Sequence, residues 1–400
     1  MKIMIIGPAK SRHLVRWANR VLHSDQSIEI KIYDINFNLT PPKNFFMRFF
    51  ISSAINDLRD EQENIYNERL LVLRRILISP LQIFIELILN FVLISYSIFC
   101  FKPNLIHVHW LNSIGSFVAV FLAKQFKIPV MITAWGSDIN DLMNNKSNHF
   151  RNYLVTYQLK NSNRITCDAK HLKNSMIALG AQENKIEIIN FGVDTNYFRS
   201  NSSKNILRKS LGLDTNCTWI LSNRPFEDVY DIETIVKAFF EIQKQNDDIR
   251  LILVGKGSKE FKIKELICSL DLVNKIVLKQ SLNDTEFLNA IQLTDYYISA
   301  AKSDGGIASS VAEAMACEII CFVTNFGENG DWVVPGETGF LFDIGDFLNL
   351  SKQMIEVINS HESFSNIGKQ ARDKIVLDLN IFVETKKIID SYNYLCRLNS

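Results

Sequence analysis

The segment YISAAKSDGGIASSVAEAMAC, residues 297–317, joins a short apolar run, a Gly-Gly turn with an acid and two serines, and a run of helix-forming residues. This pattern predicts a strand, a loop and a helix. It favours an anion-binding turn, because glycine backbone and the free N–H groups at a helix start can converge on a phosphate. Glu313 lies about one turn into that helix, where its carboxylate could accept hydrogen bonds from two ribose hydroxyls. Ser309 or Ser310 could equally be an ordinary N-cap.

Short apolar runs alternate with helical periodicity along nearly the whole chain, which is typical of β-α units around parallel sheets. Four hundred residues exceed one ordinary core and favour two domains. The polar stretch 191–204 is the expected boundary. We predict a domain over 1–195, a second over 205–376, and a C-terminal helix over 377–400 that packs back across the domains. The predicted strands are 3–6, 28–33, 105–109, 130–133, 164–166, 186–189, 219–221, 250–254, 276–278, 296–299 and 319–323.

Composition and charge restrict the class of protein. The chain is 47% apolar and 22% charged, which excludes a disordered or fibrous chain. Residues 1–197 carry 22 Lys/Arg against 15 Asp/Glu, a balance of +7, whereas residues 198–400 carry 22 against 28, a balance of −6. A basic first half favours anions or an anionic membrane surface. Seven scattered cysteines without Cys-x-x-Cys spacing indicate reduced thiols in a cytosolic protein, and the opening segment resembles a strand more than a signal peptide.

One segment, residues 76–101, is apolar enough to meet a membrane. Gln82, Glu86 and Asn90 interrupt it at intervals of four and therefore line one helix face, which disfavours spanning. A core-packed helix and attachment to a membrane surface both remain open. The aromatic cluster 45–51 fits a peripheral anchor or loop packing about equally well.

Six short motifs accompany the segment 297–317. They are MKIMIIG at 1–7, PNLIHVHW at 103–110, TAWGSD at 133–138, NFGVDTNYF at 190–198, LVGKG at 253–257 and GETGFL at 336–341. Taken together and in this order, the motifs resemble those of glycosyltransferase family 4, which has the GT-B fold of two doubly wound Rossmann-like α/β domains with an interdomain cleft. The resemblance covers residues 1–7 and about 103–346, and residues 35–100 match no motif of the family.

The resemblance implies a donor site in the second domain. Glu313 matches the family's ribose-binding glutamate, but Gly305 stands eight residues earlier, where the family has another glutamate. Asp304, nine residues before Glu313, or the backbone amides of Gly305 and Gly306 are expected to contact the sugar instead.

Arg224 matches the family's arginine for the donor diphosphate, which its planar fork can bind bidentately. The family's lysine about five residues later is absent, and Lys256 or Lys302 could supply that charge. The residues expected to hold the donor are Gly7, Arg224, Gly255, Gly305, Gly306, Ile307, Ser309 and Glu313.

In the first domain, His107 and His109 alternate onto one face of a predicted strand. Ligands of α/β sheets bind at the carboxyl ends of strands, so His109 is the expected acceptor or sugar contact and His107 a core residue. Trp135 replaces a frequent family histidine and leaves Asp138 as the polar group of its loop, unless Asp138 only caps the next helix. The expected catalytic residues are Asp304, Arg224, His109 and Asp138.

The resemblance implies a retaining glycosyltransferase that moves sugar from a nucleotide-diphosphate donor, UDP-sugar first, to a glycan acceptor in lipopolysaccharide or other surface-polysaccharide synthesis. The expected acceptor is lipid-linked, and the expected location is the inner face of the cytoplasmic membrane. We expect no metal, no cofactor and no nucleic acid; the chain has no Asp-x-Asp pair, which disfavours the metal-dependent GT-A alternative. A GT-B sugar-nucleotide epimerase and a catalytically weakened scaffold protein are the alternatives.

Overall fold

The computed structural model describes residues 1–9, 11–35, 80–143, 149–201, 203–302 and 306–397. The strands are β1 (Lys2–Gly7), β2 (Glu29–Asp34), β3 (Leu105–His109), β4 (Val130–Thr133), β5 (Arg164–Cys167), β6 (Ile186–Ile188), β7 (Thr218–Ser222), β8 (Ile249–Val254), β9 (Ile276–Lys279), β10 (Tyr296–Ser299), β11 (Ile320–Thr324) and β12 (Phe340–Phe342). The helices are α1 (Arg12–Ser24), α2 (Pro80–Phe101), α3 (Ile114–Gln125), α4 (Ser137–Met143), α5 (His149–Asn161), α6 (Lys170–Ala178), α7 (Lys204–Ser210), α8 (Ile232–Gln243), α9 (Glu260–Ser269), α10 (Asp284–Leu293), α11 (Ser309–Ala316), α12 (Asn329–Trp332), α13 (Phe347–Asn359), α14 (His361–Phe364), α15 (Ile367–Asp378) and α16 (Ile381–Arg397).

The chain divides into two compact units. The first comprises Met1–Asn190 with Glu384–Ser400, and the second comprises Phe191–Val383. The first boundary therefore lies within the polar stretch that the sequence singles out, close to its start. Most of α16 belongs to the first unit, so the chain returns to that unit at its end.

Each unit contains one parallel six-stranded sheet. The strand order is β2-β1-β3-β4-β5-β6 in the first unit and β12-β11-β10-β7-β8-β9 in the second. Strand residues alternate between two cores: Met4 and Ile6 pack on one face of β1, and Ile3 and Ile5 pack on the other. Both faces of each sheet are thus covered, as buried parallel sheets require. The predicted doubly wound α/β fold class is confirmed.

Two predictions of secondary structure were wrong in detail. The helical pattern from Leu377 is not one helix, because α15 ends at Asp378 and α16 begins at Ile381. Between them, Asn380 forms an isolated bridge with Val193, and its side chain accepts a hydrogen bond from the Phe382 amide. The short edge strand β12 was not predicted.

Helix α2 is the described part of the predicted apolar segment; residues 76–79 and the cluster 45–51 lie outside the described residues. Asn90 is buried, where its amide donates to the Glu86 carbonyl and its oxygen accepts from the Tyr33 hydroxyl at 3.5 Å. Part of the polar stripe therefore faces the protein. The 19 residues Ile83–Phe101 are long and apolar enough to cross a membrane by composition, and only 22% of the most apolar window is buried. The helix is not a fully core-packed element.

Candidate functional site

Arg224 lies in the loop that follows β7 in the second unit and is buried, with 9% of its surface exposed. Its guanidinium carbon lies 4.4 Å from the centre of the Tyr230 ring, and its Nη1 donates to Ser310 Oγ at 3.3 Å. The Tyr297 hydroxyl donates to Asn223 Oδ1 at 2.5 Å, and its oxygen can accept the hydrogen of Ser310 Oγ, 2.9 Å away. The guanidinium is thus held at the start of α11 by an aromatic ring and a hydroxyl.

Two glycines allow this loop to approach its neighbour. A Cβ on Gly255 would lie 2.5 Å from the Arg224 carbonyl oxygen, and one on Gly257 would lie 2.4 Å from the Phe226 carbonyl oxygen. The backbone of the two loops is joined directly, since the Phe226 amide donates to Lys256 O and the Lys259 amide donates to Phe226 O. Gly255 therefore permits close backbone packing beneath Arg224.

The start of α11 differs from the expected serine cap. Ala308 occupies the N-cap position, and Ser309 and Ser310 are the first helical residues. The Ser310 hydroxyl forms hydrogen bonds with Arg224 and Tyr297 and does not occupy the N-cap position. Glu313 is buried, with 6% of its surface exposed, in the same helix.

The loop before α11 is described only in part. Asp304 and Gly305 lie outside the described residues, so the expected sugar contacts are not placed. Gly306 is buried, and Ile307 and Ser309 are half-buried between that loop and the helix.

The two candidates for the missing lysine have different surroundings. Lys302 pairs with Asp231 at 3.2 Å, beside a charged cavity of about 250 Å³. Lys256 is exposed. The family's lysine is missing at a position where this chain has Val229 and then Tyr230, and Tyr230 is the residue that contacts Arg224.

In the first unit, Gly7, His109 and Asp138 lie at the carboxyl ends of neighbouring strands. A Cβ on Gly7 would lie 3.1 Å from His109 Cβ and 2.5 Å from Leu14 Cδ1, so glycine is needed beside His109. His109 is 1% exposed, and Trp135 Nε1 donates to its Nδ1 at 3.3 Å. Burial, aided by the charge of Arg20, lowers the pKa of His109 to about 3.

Both carboxylate oxygens of Asp138 are hydrogen-bonded to the backbone. Its two carboxylate oxygens accept from the backbone amides of Leu111 at 3.1 Å and Trp135 at 3.0 Å, and it is fully buried. Burial raises its pKa to about 6 despite those hydrogen bonds. Asp138 is the second residue of α4, and its carboxylate links the loops after β3 and β4 instead of occupying the N-cap position of the capping alternative.

The structure adds residues that the motifs did not single out. Tyr297 and Tyr392 bind polar groups of residues distant in sequence, Asn223 and His107, and Tyr230 packs against Arg224 of its own loop. Among the described residues, no group of three or more His, Cys, Asp or Glu side chains could hold a metal ion.

Two family models match this chain. The model described as "Glycosyl transferases group 1" matches residues 203–374, and "Glycosyl transferase 4-like" matches residues 84–169. Together they cover more than half of the sequence. The 4-like model matches the first unit, and the group 1 model matches the second.

Curated relatives and solved structures agree with these matches. The N-acetyl-alpha-D-glucosaminyl L-malate synthase of Bacillus anthracis is 25% identical over 293 residues, which are 72% of this chain and 73% of that protein. The capsular polysaccharide biosynthesis glycosyltransferase CapM of Staphylococcus aureus is 23% identical over 236 residues, 57% of this chain and 61% of its own. The crystal structure of Anabaena HepE in complex with UDP has a TM-score of 0.73 at 13% identity and covers 98% of this chain and 100% of that one.

Proposed function

This chain belongs to glycosyltransferase family 4 and is an enzyme of the GT-B fold, and from that premise we propose that it transfers a sugar, with retention of anomeric configuration, from a nucleotide-diphosphate donor to a glycan acceptor. UDP-sugar is the first donor to test, since HepE was solved with UDP and with UDP-glucose. CapM supports an acceptor in surface-polysaccharide synthesis.

The main support for the proposed donor-binding site is the position of Arg224. A planar guanidinium, stacked on Tyr230 and bonded to Ser310 in the first turn of α11, offers a fixed fork beside the positive end of a helix. Glu313, one turn further along, supplies a buried carboxylate. This set suits a diphosphate and a ribose.

The proposed chemistry needs no protein nucleophile. The bond between the sugar C1 and the diphosphate oxygen breaks while the acceptor oxygen bonds to C1 on the same face, and the acceptor's proton passes to the departing diphosphate, whose charge Arg224 and the start of α11 stabilise. The remaining rate enhancement comes from holding donor and acceptor in reactive geometry. The proposal assigns no metal and no cofactor.

A donor panel with matched variants tests this proposal. Purified enzyme is assayed for transfer and hydrolysis with UDP-, GDP- and dTDP-sugars, beside Arg224→Ala and Glu313→Gln. Loss of the guanidinium should lower kcat/KM by about a hundredfold, because about 3 kcal/mol of charge stabilisation disappears. Arg199→Ala, at an exposed arginine of the same unit, is the control and should retain full activity.

The outcomes separate the alternatives. Equal activity in the Arg224 and Arg199 variants would overturn the site assignment. Conversion of the donor to its C2 epimer without acceptor would identify an epimerase. Donor binding without turnover of any sugar nucleotide would favour a scaffold protein.

We further propose that the acceptor is lipid-linked and that the enzyme works as a peripheral protein on the cytoplasmic membrane face. Support comes from α2, on which seven large apolar side chains are 43–77% exposed. They are Phe84, Ile85, Ile88, Phe91, Val92, Tyr96 and Phe99. Their spacing of three and four residues places most of them along one side of the helix.

Basic residues lie at the carboxyl end of α2. Lys2 Nζ and Lys31 Nζ lie 5.4 and 5.5 Å from the centre of the Phe101 ring, and the exposed Lys102 follows directly. An apolar helix face with cations at its end suits the interface of an anionic bilayer.

Vesicle sedimentation tests the membrane proposal. The enzyme should bind phosphatidylglycerol vesicles more tightly than phosphatidylcholine vesicles. The triple variant Phe84→Ser, Val92→Ser and Phe99→Ser should bind more than a hundredfold more weakly, since each buried apolar side chain contributes about 1.5–3 kcal/mol. Phe261→Ser, at a 74% exposed phenylalanine of α9, is the control. Equal binding by both variants would contradict the assignment of this face.

A further inference from the structure

His107 and His109 share one face of β3 and are both fully buried, yet their ring nitrogens have different surroundings. Both nitrogens of His107 have partners, Tyr392 Oη at Nδ1 and Thr133 Oγ1 at Nε2, each at 2.7 Å. His109 has the Trp135 indole at Nδ1, and its buried Nε2 has no hydrogen-bond partner. The two rings are neighbours, with centres 4.2 Å apart.

A chain of hydrogen bonds fixes the protonation of His107. The Trp17 indole can only donate, so the Tyr392 oxygen accepts its hydrogen at 3.2 Å and the Tyr392 hydrogen is left for His107 Nδ1. His107 then carries its own hydrogen on Nε2 and donates to Thr133. Thr133 in turn donates to Thr166 Oγ1 at 2.6 Å, and Thr166 donates to the Ile132 carbonyl. This assignment leaves no hydroxyl hydrogen of the chain without an acceptor. His107 is closed to any ligand.

His109 has the same tautomer as His107, but its Nε2 hydrogen has no acceptor. Because an indole N–H is a donor only, Nδ1 of His109 must be the acceptor. The hydrogen of the neutral ring therefore lies on Nε2. Burial, with the charge of Arg20 as a second cause, lowers the pKa of His109 to about 3 and keeps the ring neutral.

A buried N–H without an acceptor is costly, and native proteins rarely retain one without a use. We propose that His109 Nε2–H is a fixed hydrogen-bond donor to a hydroxyl or phosphate oxygen of a bound substrate, and that Trp135 is the positioning residue that fixes this state. This assignment rests on the proposed function in one respect: a substrate with many oxygen atoms must bind at the first unit.

This arrangement defines what His109 does in the reaction. With Nδ1 engaged by Trp135 and the hydrogen on Nε2, the ring offers no lone pair to a ligand and is not a general base or a metal ligand. It contributes orientation and a dipole directed at oxygen.

Substitutions at both residues separate binding from packing. His109→Gln places an amide donor near the former Nε2 and should retain much of the affinity, whereas His109→Phe should weaken binding about tenfold, the value of one neutral hydrogen bond. Trp135→Phe removes the hydrogen that holds Nδ1 and should weaken binding to a similar degree, while His107→Gln should leave substrate affinity nearly unchanged. Circular dichroism establishes that each variant is folded.

The direct test is NMR of the whole enzyme labelled with ¹⁵N-histidine, with signals assigned through His107→Gln and His109→Gln. The ligand-free protein should show both rings as Nε2–H tautomers. The probes are UDP, UDP-glucose and a polyprenyl-diphosphate sugar in micelles, which distinguish donor phosphate, donor sugar and acceptor as the source of the oxygen. At least one should shift the His109 Nε2 signal and leave His107 unmoved.

Three results would overturn the proposal. An Nδ1–H tautomer of His109 in the wild type would contradict the hydrogen bond from Trp135. An Nε2–H tautomer that is unchanged in Trp135→Phe would show that Trp135 does not fix it. A His109 signal unmoved by all three probes would assign Nε2–H to an ordered water. Donor binding that depends on Arg224 would survive each of these results, so the proposed function is judged separately.

Discussion

The hydroxyl of Tyr392 links α16 to the sheet of the first unit by hydrogen bonds. Tyr392→Phe removes these hydrogen bonds and keeps the aromatic ring. The substitution removes the acceptor of the Trp17 indole at 3.2 Å and the donor to His107 Nδ1 at 2.7 Å. Both partners are at most 2% exposed, so each loses its hydrogen bond without gaining water. Each buried group left unpaired costs about 1–3 kcal/mol. Because two groups lose their partner, we expect the stability of the first unit to fall by about 2–6 kcal/mol.

Hydrogen exchange measured by mass spectrometry is the suitable assay, because it reports opening of β3 and β4 without assuming that the whole chain unfolds in one step. Tyr394→Phe is the matched control, since Tyr394 lies on the same helix and is 54% exposed. It should change the opening free energy by less than about 0.5 kcal/mol. If Tyr392→Phe changes exchange no more than the control, the hydrogen-bond chain does not stabilise the unit.

Three further predictions concern the two sites. Tyr230→Leu removes the ring beneath Arg224 and should raise the KM for the donor by about three- to tenfold in steady-state kinetics, whereas Tyr230→Phe should leave it unchanged. Equal KM values for the two variants would contradict this role of the ring. Gly255→Ala places a Cβ against the Arg224 carbonyl oxygen and should lower donor affinity measured by calorimetry more than tenfold; unchanged affinity would show that the loop can shift freely. The pKa of His109, about 3 in the folded protein against an ordinary 6.5, means that the unfolded state binds more protons as the pH falls below 6.5. From pH 7 to pH 5 the wild type should therefore lose about 2 kcal/mol more stability than His109→Gln, measured by urea titration, and parallel losses would contradict the buried neutral ring.

The sequence was sufficient for the fold because buried parallel strands are continuous apolar runs. Ile3–Ile6 and Tyr296–Ser299 are recognisable without knowledge of their neighbours. The three-residue strand β12 is too short to give such a signal, and it follows Gly339, whose φ of 156° places it outside ordinary strand geometry. The break before α16 did have a signal, Asn380, whose side chain accepts from the Phe382 amide as a capping residue does.

The chemistry of the sites was only partly predictable, because its contacts join distant positions. The motif indicated Arg224, but its partner Ser310 is 86 residues away. His109 could be placed at a strand end by alternation, whereas its protonation state depends on Trp135, and that of His107 depends on Tyr392, 285 residues away. Spacing identifies which residues share a strand face but not which hydrogen each one donates.

The most direct test of the central claim is the anomeric configuration of the product formed from a UDP-sugar. Enzyme is incubated with UDP-glucose, and with UDP-N-acetylglucosamine and UDP-galactose in parallel, together with the lipid-linked acceptor, and the new glycosidic bond is examined by NMR. We expect an α-linked product from the α-configured donor, at a rate reduced about a hundredfold in Arg224→Ala. A β-linked product, or equal rates in Arg224→Ala and the wild type, would contradict it.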